Sequence, residues 1–294
     1  RGARRRRRAL RFRATAAMSS VPRVTVICAL PSEAQALVAH WRLNAQRERP
    51  FRVYGDGDLR VLVSGVGSHA SAAAVGYAAG LDDSRADDIC LNIGIAGHAH
   101  HALGTPLLAA RVSHHGRDLA WYPSLVFTPP CATSALITYD HAVTDYPTDA
   151  CCDMEASGFM AATSRIASGD LVQVFKVVSD NAASGIGVIE RTRVHGLMQA
   201  ALPAITALVE RVREVALRLP VAAADELTSA LLTRWHFSHT QTTQLRQLLQ
   251  RRALLTAQAA LDMQTLTDCR NAAAVLARLR AEVDALPLPA ARTE

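Results

Sequence analysis

Between Val24 and about Val178, short β-branched runs alternate with longer stretches of helical spacing, the pattern of an α/β domain. Val24-Thr25-Val26-Ile27-Cys28-Ala29 predicts a strand. Pro31-Ser32 then predicts a helix to about His40, with Ser32 as its cap and Glu33 in its first turn. Leu59 to Ser64 predicts a second strand ending in Gly65-Val66-Gly67, after which small residues from Ser68 to Ala79 predict a closely packed helix. A third strand, Asp88 to Ile93, ends in Gly94-Ile95-Ala96-Gly97. Leu107 to Ser113 and Ala135 to Tyr139 predict further strands, separated by a loop carrying Trp121, Tyr122 and Pro123. A helix is predicted from near Ala150 to about Ser164, with Glu155 in its first two turns, and Leu171 to Val178 as the last strand of the core. The helix from Val188 to about Leu219 places Leu197, Ala201, Ile205, Leu208 and Val212 at near-helical spacing, suited to packing along the sheet, and Pro220 closes it. Residues 224 to 286 have no strand pattern and no glycine, which predicts an appendage of two or three helices. Its Trp235, Phe237, Leu245, Leu248 and Leu249 are expected as core residues.

Half of the 294 residues are hydrophobic, enough for one full core plus an extension. The apolar runs fall short of the roughly 18 residues that span a bilayer, so no membrane partner is expected. The net charge of +6 looks like a nucleic-acid signature until it is located. Eight arginines lie in residues 1–17, ahead of Met18; taking them from the 32 basic residues leaves 24 against 26 acidic ones. The basicity belongs to that segment, which reads as a disordered leader, and no nucleic-acid partner is expected of the rest. The expected organisation is a leader over 1–17, an α/β domain over 18–220 and a helical extension over 221–294. The six cysteines show no CxxC spacing, which fits a reducing cytoplasm. The histidines His98, His100, His101, His114 and His115 have no acid or thiol spaced with them as zinc sites require, so no metal is expected. Neither glycine turn completes GxGxxG or GxxxxGK[ST], and Lys176 is the only lysine, so no nucleotide cofactor is expected.

The candidate chemistry lies in three acids, Glu33, Glu155 and Asp180, each beside a separate hydrophobic segment. Singly, each has a structural explanation at a helix or turn terminus. Together they suggest cleavage of a bond to a sugar. Their context resembles the purine nucleoside phosphorylase and uridine phosphorylase superfamily, and within it the 5'-methylthioadenosine/S-adenosylhomocysteine nucleosidases. The resemblance covers about Val24 to Val212. It rests on Val26-Ile27-Cys28-Ala29-Leu30-Pro31-Ser32-Glu33, Ser64-Gly65-Val66-Gly67, Asn92-Ile93-Gly94-Ile95-Ala96-Gly97, Met154-Glu155-Ala156 and Val178-Ser179-Asp180, in that order.

The resemblance implies a single three-layer α/β domain with a central mixed sheet flanked by helices, to which the C-terminal helical extension is added. It also implies hydrolysis of a purine nucleoside. Asp180 would protonate the departing base, Ser179 would orient it and Glu33 would activate water. Glu155 would hold the ribose hydroxyls with Met154 against the sugar, main chain at Gly97 would approach the substrate, and main chain at Val143 would meet the base. Two positions depart from the family pattern: Ile95 replaces a polar residue, and Ala142 stands where relatives carry an aromatic that stacks on the base. Trp121, Tyr122 or Tyr139 are the expected substitutes. Two alternatives stay open: phosphorolysis, with Arg111 and Arg117 supplying a phosphate site, and a non-catalytic nucleoside binder. The superfamily is usually oligomeric, so a homo-oligomer is expected.

Overall fold

The computed structural model describes residues 22–81, 88–147, 149–184, 190–219, 221–256 and 261–286. The leader, Val188 and Pro220 lie outside them. In chain order the elements are β1 (Val24–Cys28), α1 (Pro31–His40), β2 (Asn44–Arg47), β3 (Arg52–Asp56), β4 (Leu59–Val63), α2 (Ser68–Leu81), β5 (Ile89–His98), β6 (Pro106–His114), β7 (Ala120–Trp121), β8 (Ala132–Thr138), β9 (Ala150–Asp153), α3 (Ala156–Thr163), β10 (Val172–Asp180), α4 (Arg191–Arg218), α5 (Val221–Arg234), α6 (His239–Leu255) and α7 (Ala272–Ala285).

The sheet is mixed, and part of it closes on itself. β1 lies parallel between β4 and β5, and β5 runs parallel to β10. β10 pairs antiparallel with β6, β6 parallel with β8, and β8 parallel with β9, which returns antiparallel to β5. On the other side β3 pairs with β4, and β2 forms the edge. Alternation along the strands divides the core between two helical layers. Val24, Val26 and Cys28 of β1 share one cluster with Leu37 of α1 and Ile205, Leu208 and Val212 of α4. Ile27 faces the other way, among Ala74 and Val75 of α2 and Phe159 of α3. The expected three layers result. The C-terminal helices bury a cluster of their own, including Leu231, Phe237, Leu245, Leu249, Val275 and Leu279. There the Trp235 indole donates to the Cys269 carbonyl at 2.9 Å. Among the described residues no helix is long and apolar enough to cross a membrane.

Three local expectations are corrected, and one element is added. The cap of α1 is Leu30, not Ser32, because Pro31, with no N–H and φ already near the helical value, takes the first helical position. The segment from Ala150 is a strand: Ala150, Cys151 and Cys152 are buried between β8 and β5, and α3 starts only where Asp153 Oδ2 accepts from the Ala156 amide at 2.8 Å. The third strand does not stop at Ile93 but runs through both glycines to His98. The β2–β3 hairpin was not foreseen, since β2 is exposed throughout and carries no apolar alternation.

Small residues set the distance between α2 and α3. A Cβ on Gly158 would collide with the Ser68 carbonyl, whereas Gly76, exposed on α2, has open space beside it. Gly158→Ala is therefore expected to destabilise the protein by about 2–3 kcal/mol in urea unfolding. Gly76→Ala is expected to stabilise it by about 0.5–1 kcal/mol, through helix propensity alone. Equal effects of the two changes would remove the packing explanation.

Candidate active site

The C-terminal ends of β5 and β10 lie side by side, with Gly94 opposite Lys176 and Gly97 opposite Asp180. Between Val178 and Asp180 the register slips at Ser179, a bulge of the kind that re-aims a side chain at a strand end. The bulge leaves Ser179 able to donate to Asp180 Oδ1 at 2.5 Å, while the Arg193 guanidinium donates to the Ser179 carbonyl at 3.2 Å. All seven residues singled out from the sequence line one cleft: Glu33, Gly97, Val143, Met154, Glu155, Ser179 and Asp180. The cleft encloses a cavity of about 120 Å³ that opens to solvent.

Glu33 reaches the cleft from the first turn of α1. Its Oε2 accepts from the Leu30 amide at 2.8 Å and its Oε1 from the Ile95 amide at 2.9 Å. The carboxyl lies directly over Gly94, where a Cβ would sit 2.7 Å from Oε1. This glycine makes room for an acid. Burial pushes the Glu33 carboxyl above its ordinary value, against the opposing pull of Lys176 and the backbone amides.

Glu155 stands at the cap of α3 and is 6% exposed. Its Oε1 accepts from the Gly67 amide at 2.9 Å, which ties the turn after β4 to α3. Gly67 has φ +107°, a conformation that L side chains rarely adopt. Burial pushes the Glu155 carboxyl up to about 7; Lys176 lowers it and Asp153 raises it.

Sequence reasoning noted Lys176 and assigned it nothing. It is 3% exposed and its ammonium lies 2.8 Å from Asp153 Oδ2. Asp153 is anchored further by the Thr138 hydroxyl at 2.7 Å, and Thr138 in turn accepts from the Ser157 amide at 2.9 Å. Burial pulls the ammonium down, but Asp153, Glu155 and Glu33 together outweigh it, so Lys176 holds its proton above the ordinary lysine range. Its isolation as the only lysine, four residues before Asp180 in a buried strand, was the available signal.

Tyr146 was also missed. It lines the cleft, and its hydroxyl donates to Asp180 Oδ2 at 2.5 Å. The three aromatics expected near the base are elsewhere. Trp121 packs against the α2–α3 layer, Tyr122 is 72% exposed, and Tyr139 stacks on His115 with centroids 4.6 Å apart. Arg111 and Arg117 open on a separate hollow with Ser113, His114 and His115. His98 Nδ1 accepts from the His100 and His101 amides and so organises its own turn. Among the described residues no three His, Cys, Asp or Glu side chains gather as metal ligands.

This fold, a partly closed mixed sheet between two helical layers, is shared with solved nucleosidase structures. The solved structure of Arabidopsis thaliana 5'-methylthioadenosine nucleosidase matches it with a TM-score of 0.54 at 16% identity, over 65% of this chain and 96% of that one. The Streptococcus pneumoniae 5'-methylthioadenosine/S-adenosylhomocysteine nucleosidase matches with 0.54 at 17%, over 65% and 99%. Futalosine hydrolase of Helicobacter pylori matches with 0.54 at 11%, over 65% and 98%. No family model and no curated protein matches the sequence. At these identities the likeness is one of fold.

Two measurements follow from the buried charges. Glu155 is protonated up to about pH 7 when folded but only to about 4.5 when unfolded, so the folded state binds more protons in that window and this group's contribution to stability falls as pH rises through it. Glu155→Gln, which cannot ionise, should gain about 2–3 kcal/mol on the parent protein between pH 4.5 and 8 in urea titrations; a constant difference would contradict the shift. Lys176→Met should cost about 3–5 kcal/mol at pH 7, because it strands buried carboxylates without a counter-charge. That loss should shrink at pH 5, where Glu155, pushed up to about 7, takes up a proton; a loss that stays the same at pH 5 would argue against the charge role.

Proposed function

We propose that the protein is a nucleosidase that hydrolyses the N-glycosidic bond of a purine nucleoside of the methylthioadenosine or S-adenosylhomocysteine kind. The observation that carries this reading is the convergence of Glu33, Glu155 and Asp180, from three distant segments, on one cleft. The proposed catalytic unit is residues 18–220, with 221–294 as a helical extension.

In the proposed reaction the bond from the sugar C1' to the base nitrogen breaks and its electron pair leaves with the base. Asp180, oriented by Ser179, delivers a proton to a ring nitrogen of that base, so a neutral purine departs. Positive charge left on the sugar is stabilised by the carboxylate of Glu155, which also accepts from the 2'- and 3'-hydroxyls while Met154 packs on the ribose. Water adds to C1' and gives its proton to Glu33, whose burial makes it a stronger base than an exposed carboxylate. Main chain at Gly97 and Val143 borders the base. The products are free base and free sugar.

Water is favoured over phosphate as nucleophile by the lining. The cleft presents Glu33, Asp153, Glu155 and Asp180 and no arginine or lysine among the described residues that line it, and Arg111 and Arg117 face a different hollow. A phosphate dianion would meet like charge there. A cytoplasmic, self-associating protein is proposed on the same reading.

The test is incubation with purine and pyrimidine nucleosides, including methylthioadenosine and S-adenosylhomocysteine, with and without phosphate. Free base and free sugar are expected without phosphate. Asp180→Asn should lower kcat on purines by about 10²–10⁴-fold while circular dichroism stays that of the parent. Release that requires phosphate would replace hydrolysis by phosphorolysis; full turnover in Asp180→Asn would remove that residue as the acid.

A further inference from the structure

Tyr146, on the segment between β8 and β9, has no part in the reaction described above, yet it lines the cleft beside Asp180. Its ring lies against Gly97, so close that a Cβ at that position would overlap it, and the same imagined Cβ would sit 2.7 Å from Asp180 Oδ2. Its hydroxyl donates to that Oδ2 while Ser179 donates to Oδ1, both at 2.5 Å. Both oxygens of the carboxyl are therefore engaged by hydroxyl groups of the protein itself. Burial, and then the hydrogen bond to Asp180, push the Tyr146 phenol well above its ordinary range, so it stays a donor at neutral pH.

An acid that serves a departing base must aim an O–H at a ring nitrogen within about 3 Å. Oδ1 is committed to Ser179, which leaves Oδ2, the atom Tyr146 already holds. The base also has to lie against the backbone at Gly97 to reach it, and that surface is under the tyrosine ring. One site cannot hold two rings. The neighbouring residues His141, Ala142, Thr144 and Asp145 are exposed and Tyr146 is half-buried, so withdrawing the ring re-exposes little apolar surface.

We propose that Tyr146 is an internal competitor for the base: in the unliganded protein its phenol fills the base position on Asp180, and a nucleoside or free purine binds only by displacing it. This rests on the assignment of Asp180 as the group that meets the base. It makes Tyr146 a specificity-determining residue, because only a ring that hydrogen-bonds Oδ2 and packs on Gly97 better than phenol does can enter. The affinity observed for any ligand is reduced by the fraction of molecules in which the ring is in place.

The experiment is calorimetric titration of adenine into the full chain and into Tyr146→Phe and Tyr146→Ala, alongside the assay for base release. Tyr146→Phe keeps the ring and removes the bond to Asp180; Tyr146→Ala removes both. Adenine is expected to bind each variant about ten-fold more tightly than the parent, the equivalent of about 1.4 kcal/mol. Weaker binding to Tyr146→Ala would make the ring a stacking partner and overturn the proposal, as would unchanged affinity in both variants or no adenine binding in any of the three proteins. The two readings separate cleanly. Tightened adenine binding in a protein that releases no base retains the competitor and discards the hydrolase, whereas base release with unaltered adenine affinity does the reverse.

Discussion

The cleft depends on one buried cation. Three carboxyl groups from α1, from β9 and from the start of α3 lie around Lys176, and burial pushes two of them, Glu33 and Glu155, toward the protonated form. The ammonium opposes that drift in Glu33 and Glu155, and they in turn hold its proton in place. Asp153 forms the direct pair, and its remaining capacity is filled by Thr138 and the Ala156 amide, so the ion pair is also the joint between β8, β9, β10 and α3. Removing Lys176 or Asp153 leaves its partner's charge without its direct pair in a low-dielectric interior. A buried pair of this kind holds geometry more than it contributes stability.

Around that charge the backbone is cut away where side chains must cross it. Glu33 passes over Gly94, and Asp180 and Tyr146 meet over Gly97, two residues with opposite neighbours on the same strand. The bulge at Ser179 turns Asp180 to the same opening. The glycines of β5 thus act inside a strand rather than in a turn. They are needed because side chains from other elements approach the backbone closely.

The closed portion of the sheet explains how such distant residues meet. β10 joins β5 and β6, and β9 returns to β5 from the other end of the same circuit, so that Asp153, Lys176 and Gly94 are neighbours although they come from distant parts of the chain. The second helical layer, closed by the contact at Gly158, fixes α3 and with it Glu155. Glu155 is then bound to the Gly67 amide, which carries the constraint across to the turn after β4.

Local pattern was enough for what local physics decides. The apolar alternation of Val24–Cys28, the small residues of Ser68–Leu81 and the helical spacing of Leu197 to Val212 each determine an element without help from the rest of the chain, and the motifs around Glu33, Glu155 and Asp180 pointed to residues that line a common cleft. Ala150–Asp153 could not be read correctly, because four small and polar residues become a strand only when β8 and β5 flank them. The polar edge strand Asn44–Arg47 likewise takes its conformation from its partner. Lys176 and Tyr146 belong to no pattern in the chain. The meaning of each is an interaction with an acid brought beside it by folding, a matter of Coulombic energy and hydrogen-bond geometry between distant segments, and only the tertiary structure decides that.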